Sequence, residues 1–473
     1  NGVAFAVNNS GLLGGGGSLG NTSVLSGGTL APGEGIGALT VNGNLTLEQG
    51  SLLDFQFGAP SGDFVTPGSS DSVSVNGDLA INGSTLTIND TGSFGPGLYR
   101  LFDYTGTLSE SNGGLQLANP DPSYDLQYLA GDKQINLINT VGTTLNFWNA
   151  NGLASGTTQG GGDGTWTATN HVWTDATGSI TGPMIPNPGF AIFAGDSGTV
   201  TVSDADGAVE AQGIQFASDG YVLSGDALNL TGTEGEIRVG DGSAASSSYV
   251  ATIENDISAT NGLVKTGAGT LALTGGASQA QDWWVREGTL QGNLYKLGGN
   301  ILNDAHVLID DYSGSPTYKG TISGSGSVTW DLGGPTNLIN KQTYTGLTHV
   351  LNGELYGVAD TFAGDILIEA GGQIVATGGV APVQYDGTIS GDGIYDISGA
   401  NVVWTGDHTG FTGLTLLNNG AHLTLGTGGN TGSIVGDVLF SDTSSTLEIN
   451  RANDYFYDGV ISGAGNLIKN GTG

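Results

Sequence analysis

The sequence predicts an all-β fold, a parallel β-helix in which short strands stack coil upon coil. Three observations predict it. Valine, isoleucine, leucine and threonine recur in short bursts, which is strand chemistry. The bursts are separated by glycine, present 87 times, and by Asn-Gly pairs. Two independent motifs return in one shared register, which is how stacked repeats write themselves in sequence. No long stretch has helical periodicity.

The register is carried by residues 251–473. Tyr318-Lys319-Gly320-Thr321-Ile322-Ser323-Gly324 returns as Tyr385 to Gly391 and as Tyr457 to Gly463, with an eroded copy at Ile257-Ser258. Ile257, Ile322, Ile389 and Ile461 stand 65, 67 and 72 residues apart. The second motif, Tyr344-Thr345-Gly346-Leu347-Thr348 with Val350, Gly353 and Leu355, returns at Phe411, Gly413, Thr415, Leu417 and Gly420. Before it stand Trp283, Val285, Gly288 and Leu290. Leu263-Val264-Lys265-Thr266-Gly267-Ala268-Gly269 returns at Leu467 to Gly473, where the copy breaks off as in a piece of a longer stack. A repeat of this length divides into three coils of about 22 to 24 residues, each bonded only to its neighbours. A β-propeller, with blades of about 40 to 50 residues, fits the spacing poorly. Alternation places Leu271, Leu273, Ile322, Ile389, Leu423, Leu425 and Ile461 in the core.

Residues 1–142 use the same alphabet. Leu39 and Val41 precede Asn42-Gly43, and Leu45 and Leu47 follow it; Val73, Val75, Leu79, Ile81, Leu86 and Ile88 repeat the design around Asn76-Gly77 and Asn82-Gly83. Asn-Gly suits tight turns. It is also a hairpin signal, so antiparallel hairpins are the alternative to coil turns there. Residues 143–250 are the least regular. Trp148, Trp166 and Trp173 lie there, with the loop Thr158 to Gly164 and the run Pro183 to Pro188. The three tryptophans are the candidate binding residues, as an aromatic platform for glycans or a partner. Their alternative role is to fill the solenoid core.

Composition narrows the function. Asp plus Glu number 44 against 10 Lys plus Arg, a net charge of −34. Nucleic acid and anionic membrane surfaces are repelled by such a chain; divalent cations and cationic partners are attracted. There is no cysteine, so neither disulfides nor thiolate metal sites form.

The strings "GLVKTGAGTLALTGG", "YTGLTHVLNGEL" and the Tyr-x-Gly-x-Ile-Ser-Gly-x-Gly units resemble the passenger-associated strand repeats of Gram-negative autotransporters, the type V secreted proteins. "GGTLAPGEGIGALTVNGNLTL" at 27–47, "GTVTVSDADGAV" from Gly198 and "IRVGDG" at 237–242 are similar to other stretches of such passengers. The resemblance covers nearly the whole chain. It implies a right-handed β-helix passenger at the cell surface, exported through the outer membrane by a C-terminal barrel that this sequence does not contain. That barrel is then its one link to a membrane. In the first repeat Gln279 and Gln281 replace the usual aromatic and glycine.

The same residues carry few signals of catalytic chemistry. Gly16-Gly17-Ser18-Leu19-Gly20 matches G-x-S-x-G, but a nucleophile elbow needs a strand before it and a helix after it. His171, His306, His349, His408 and His422 have no metal-ligand spacing; His349 and His422 fall in strand-like stretches and read as surface residues. Asp310-Asp311 and Asp204 with Asp206 are the candidates for loosely bound calcium, and no other metal or cofactor is expected. The expectation is therefore a non-enzymatic passenger that mediates adhesion, bacterial aggregation or biofilm through an extended polar face. Its partners would be host matrix or cell-surface molecules, or identical passengers on neighbouring cells. The alternatives are an inert stalk and a glycan-active β-helix hydrolase or lyase.

Overall fold

The computed structural model describes residues 4–61, 66–153, 159–275, 281–311, 314–378 and 381–473. Thr158 and Gln279, on which two of the sequence expectations rest, lie outside them. Among the described residues the only helix is one 3₁₀ turn, Ala244–Ser248, and no helix is long and apolar enough to cross a membrane. The chain forms two compact units, Asn1–Gly160 with Asn170–Gly189, and Gly161–Thr169 with Phe190–Gly473.

In the first unit the strands stack in parallel. Phe5, Thr22, Leu45, Leu79 and Leu108 lie in one ladder, so successive coils advance 17, 23, 34 and 29 residues. Val24, Leu45, Leu47, Leu79 and Ile81 are fully buried. Each such aliphatic side chain contributes about 1.5–3 kcal/mol relative to exposure. The Asn-Gly pairs therefore turn coils rather than hairpins. One part departs from the expectation. Strand Gly97–Tyr104 pairs antiparallel with Gln134–Asn139, which pairs antiparallel with Tyr124–Leu129. The reason is a tight turn: only Ala130 to Lys133, with Lys133 at φ +58, join the last two strands, too short a link for a parallel crossover. Side chains then bridge the strands: Arg100 Nε donates to Asn136 Oδ1 at 2.7 Å, and Asn136 Nδ2 to Gln127 Oε1 at 2.9 Å. On the other face Phe102, Ile135 and Leu137 close the core.

In the second unit, from Ala251 onward, the parallel registers advance 17 to 24 residues per coil. Of the seven expected core residues, six are buried and Ile461 is half-buried. The structure explains the repeat atom by atom. The tyrosine hydroxyl of each copy donates to the carbonyl of a glycine in the preceding coil: Tyr318 to Gly299 at 2.9 Å, Tyr385 to Gly364 at 2.7 Å, Tyr457 to Gly436 at 2.6 Å. The residue two places on must be glycine, because a Cβ at Gly320 or Gly387 would stand 2.6 or 2.7 Å from that hydroxyl. The isoleucine N–H is received by a side chain of the following coil, Gln342 Oε1 at 2.7 Å for Ile322 and His408 Nδ1 at 3.0 Å for Ile389. A buried N–H without an acceptor would cost about 1–3 kcal/mol, so glutamine and histidine are two solutions to one problem.

Candidate functional site

Trp148, Trp166 and Trp173 are buried, at 0, 2 and 1 % exposure. Trp148 meets Trp173 edge to face with centroids 5.5 Å apart, and Trp166 packs on Phe193 at 5.9 Å. Their rings fill core and present no platform to solvent. Ser18 sits within strand Gly17–Leu19, paired with Thr40, and not at a strand-to-helix turn, so G-x-S-x-G makes no elbow here. Asp310 and Asp311 alternate along strand His306–Asp311. Asp311 is buried and accepts from Leu294 N at 3.0 Å, whereas Asp310 faces outward. They point to opposite sides and do not chelate one ion together. Among the described residues no three side chains of metal-ligating type come together.

What the second unit does present is a polar outer face. Coil stacking sets residues at like positions side by side, so polar side chains bond up and down the stack. Gln291 Nε2 donates to Asp310 Oδ2 and Asn352 Nδ2 to Asp331 Oδ1, both at 2.8 Å, while Asp310 and Asp331 are register partners. Burial pushes the Asp310 carboxyl up, and Asp331 and Asp311 add to this against the Gln291 bond. His306 lies between Thr289 and Thr329, at 3.2 and 3.0 Å, and burial lowers its proton affinity, helped by nearby His349. His349 Nε2 approaches Glu369 at 3.3 Å. Farther along, His422 Nε2 lies 2.9 Å from Glu448 Oε2. The Asn470 amide, with His422 beside it, holds Glu448 below the usual carboxylate range. Both histidines are half-buried. A cleft of about 670 Å³ opens on the same unit, where Asp360, Asp365 and Asp386 outnumber Lys341 around Tyr385. The arrangement offers many carboxylates, amides and hydroxyls held at coil spacing. It suits repeated weak hydrogen bonding and attraction of cations.

The chain is 36 % identical over 493 aligned residues, 97 % of its length, to the adhesin BmaC autotransporter of Brucella suis biovar 1. The chain belongs with the autotransporter passengers. That membership places it at the Gram-negative cell surface. The alignment takes in 14 % of BmaC, so the chain spans about a seventh of that relative. A second relative, an extracellular serine protease of Serratia marcescens, is 31 % identical over 102 residues, 22 % of this chain and 8 % of that protein. No family model and no solved structure matches.

One residue of this passenger escaped the sequence reading. Trp284 is half-exposed, on strand Trp283–Val285, and its indole is held by its neighbours. The signal was available in Trp283-Trp284: adjacent strand residues face opposite ways, so one tryptophan of the pair must point out.

Proposed function

We propose that this passenger segment is an adhesive surface that acts without catalysis. The observation that carries the proposal is similarity along 97 % of the chain to a protein named an adhesin. The outward polar face of the second unit supplies a physical means. Single hydrogen bonds there are worth about 0.5–1.5 kcal/mol each, and adhesion arises when many engage together on a surface, where avidity exceeds any single affinity. The partners are host matrix or cell-surface molecules. Binding between identical passengers, leading to aggregation and biofilm, is the finer form of the same proposal. The name of the Serratia protease stays with that protein, and the strand setting of Ser18 supports the non-enzymatic reading.

A salt and calcium series tests the self-association arm. With a net charge of −34, two copies repel at low salt, and screening shortens that repulsion to about 8 Å at physiological ionic strength. Cells displaying the segment should sediment faster as sodium chloride rises from very low levels, and faster again with calcium. Sedimentation that is the same across the series would reject passenger-to-passenger binding.

A further inference from the structure

Trp284 is the one tryptophan of a buried-outward pair that reaches the surface, and it is more tightly held than a surface residue needs to be. Its Nε1 donates to Asp304 Oδ2 at 2.9 Å. The Arg286 guanidinium carbon lies 3.8 Å from the ring centroid. Arg286 is in turn fixed by two hydrogen bonds to Glu234, at 2.8 and 2.7 Å. Three side chains thus hold one indole, Arg286 from its own coil and Asp304 and Glu234 from other coils. Register partners extend the apolar strip, with Val264 on one side and Leu302 on the other.

Trp284 lines a cleft of about 350 Å³ whose rim carries Thr233, Glu234, Asn261 and Asp282. Gly262 also lines it, where the chain takes φ +85 and a Cβ would stand 2.9 Å from the Asp282 carbonyl oxygen. This combination, an aromatic surface with hydroxyl, amide and carboxylate groups at its edge, has a specific chemical complement. Arg286 already covers one face of the indole, so it is the opposite face whose electron density attracts the weakly positive C–H groups of a pyranose ring, by the same quadrupole that holds the cation. The rim groups accept and donate to sugar hydroxyls. The volume lies within the range of small-ligand sites. Charge decides which sugar. Arg286 offsets the Glu234 charge, which leaves the Asp282 carboxylate and a chain of net charge −34 to disfavour sialylated or sulfated glycans.

We propose that the Trp284 cleft binds a neutral hexose residue of a surface glycan. This rests on the adhesive reading and names the ligand class at one place on it.

The test uses the purified segment, titrated with glucose-, galactose- and N-acetylglucosamine-terminated oligosaccharides, and with sialylated and sulfated counterparts. Tryptophan fluorescence and calorimetry report binding. At least one neutral oligosaccharide should bind, and Trp284→Ala should weaken it about fivefold or more, in line with the loss of an aromatic contact. The thermal melt of Trp284→Ala is recorded alongside. If that variant melts early, Asn261→Ala, at an exposed rim position, replaces it and should also weaken binding. The proposal is overturned if no neutral oligosaccharide binds, if only acidic ones bind, or if the folded variants bind as well as the parent. Display of Trp284→Ala on cells separates the two readings. Adhesion by a parent segment that binds no neutral oligosaccharide overturns the sugar site and leaves the adhesive reading standing. Loss of both together supports the sugar site.

Discussion

Gly413→Ala should destabilise the second unit far more than an ordinary glycine-to-alanine change. Gly413 belongs to the Tyr/Phe-Thr-Gly motif and lies where one coil crosses the next. A Cβ there would stand 2.8 Å from Asp392 C and 2.9 Å from Gly393 N, and closer still to the Gly393 carbonyl oxygen. All three are backbone atoms, so no side chain can swing away. That same carbonyl accepts the Leu414 N–H at 3.0 Å, and the shift that relieves the clash pulls this hydrogen bond apart. Overpacking costs about 1–3 kcal/mol and the lost bond about 1 kcal/mol. Reduced freedom of the unfolded chain returns about 0.4–1 kcal/mol. The net expectation is a loss of about 2–3 kcal/mol. Gly429→Ala is the control: nothing lies within 4 Å of its Cβ position, and the expected effect is neutral or slightly stabilising. Urea unfolding followed by circular dichroism compares the two. Equal midpoints for both variants would refute the close coil contact at Gly413.

Four further outcomes follow from the same geometry. Burial lowers the pKa of His408 from the ordinary 6.5 to about 4, so the unfolded chain binds the extra proton first. Stability should be full above pH 6.5 and fall by about 3 kcal/mol as pH drops toward 4. His408→Gln should keep the bond to Ile389, as Gln342 does for Ile322, while flattening that slope in melts taken between pH 4 and 7. Lys265→Met should destabilise by about 2–4 kcal/mol in urea melts, because Lys265 Nζ is buried and donates to the carbonyls of Thr266, Gly267 and Glu287 at 2.7–2.9 Å. Ile389→Asp puts an unpaired charge at a fully buried position and should lower the melting temperature steeply; a melt that overlays the parent's would mean the strand faces the other way.

The repeat made the fold legible. Isoleucines at matching positions mark strands that pair in parallel, and their inward direction follows from alternation alone. What the motif residues do was not legible, because the partners lie a coil away. The Tyr385 hydroxyl reaches Gly364, and Ile389 N–H reaches His408, at separations that depend on how many residues each coil takes. Antiparallel hairpins were the alternative for residues 1–142, and one forms at residues 124–139, but around Gly131-Asp132-Lys133 and not around an Asn-Gly pair. Lys265 is a case where polarity misleads. Its charge suggests surface, yet three backbone carbonyls receive it inside. Tryptophan content marked residues 143–250 for binding, but content does not tell which face a ring takes. In Trp283-Trp284 alternation does tell.

The adhesive role is tested most directly by display. Non-adherent cells carrying this segment, with surface levels matched by antibody, are counted on matrix-coated surfaces and host-cell monolayers. Purified segment is added as competitor. More cells should be retained than with empty display, and soluble segment should reduce the count in proportion to its concentration. Retention equal to that of empty cells at matched display, on every surface tried, would contradict the adhesive reading.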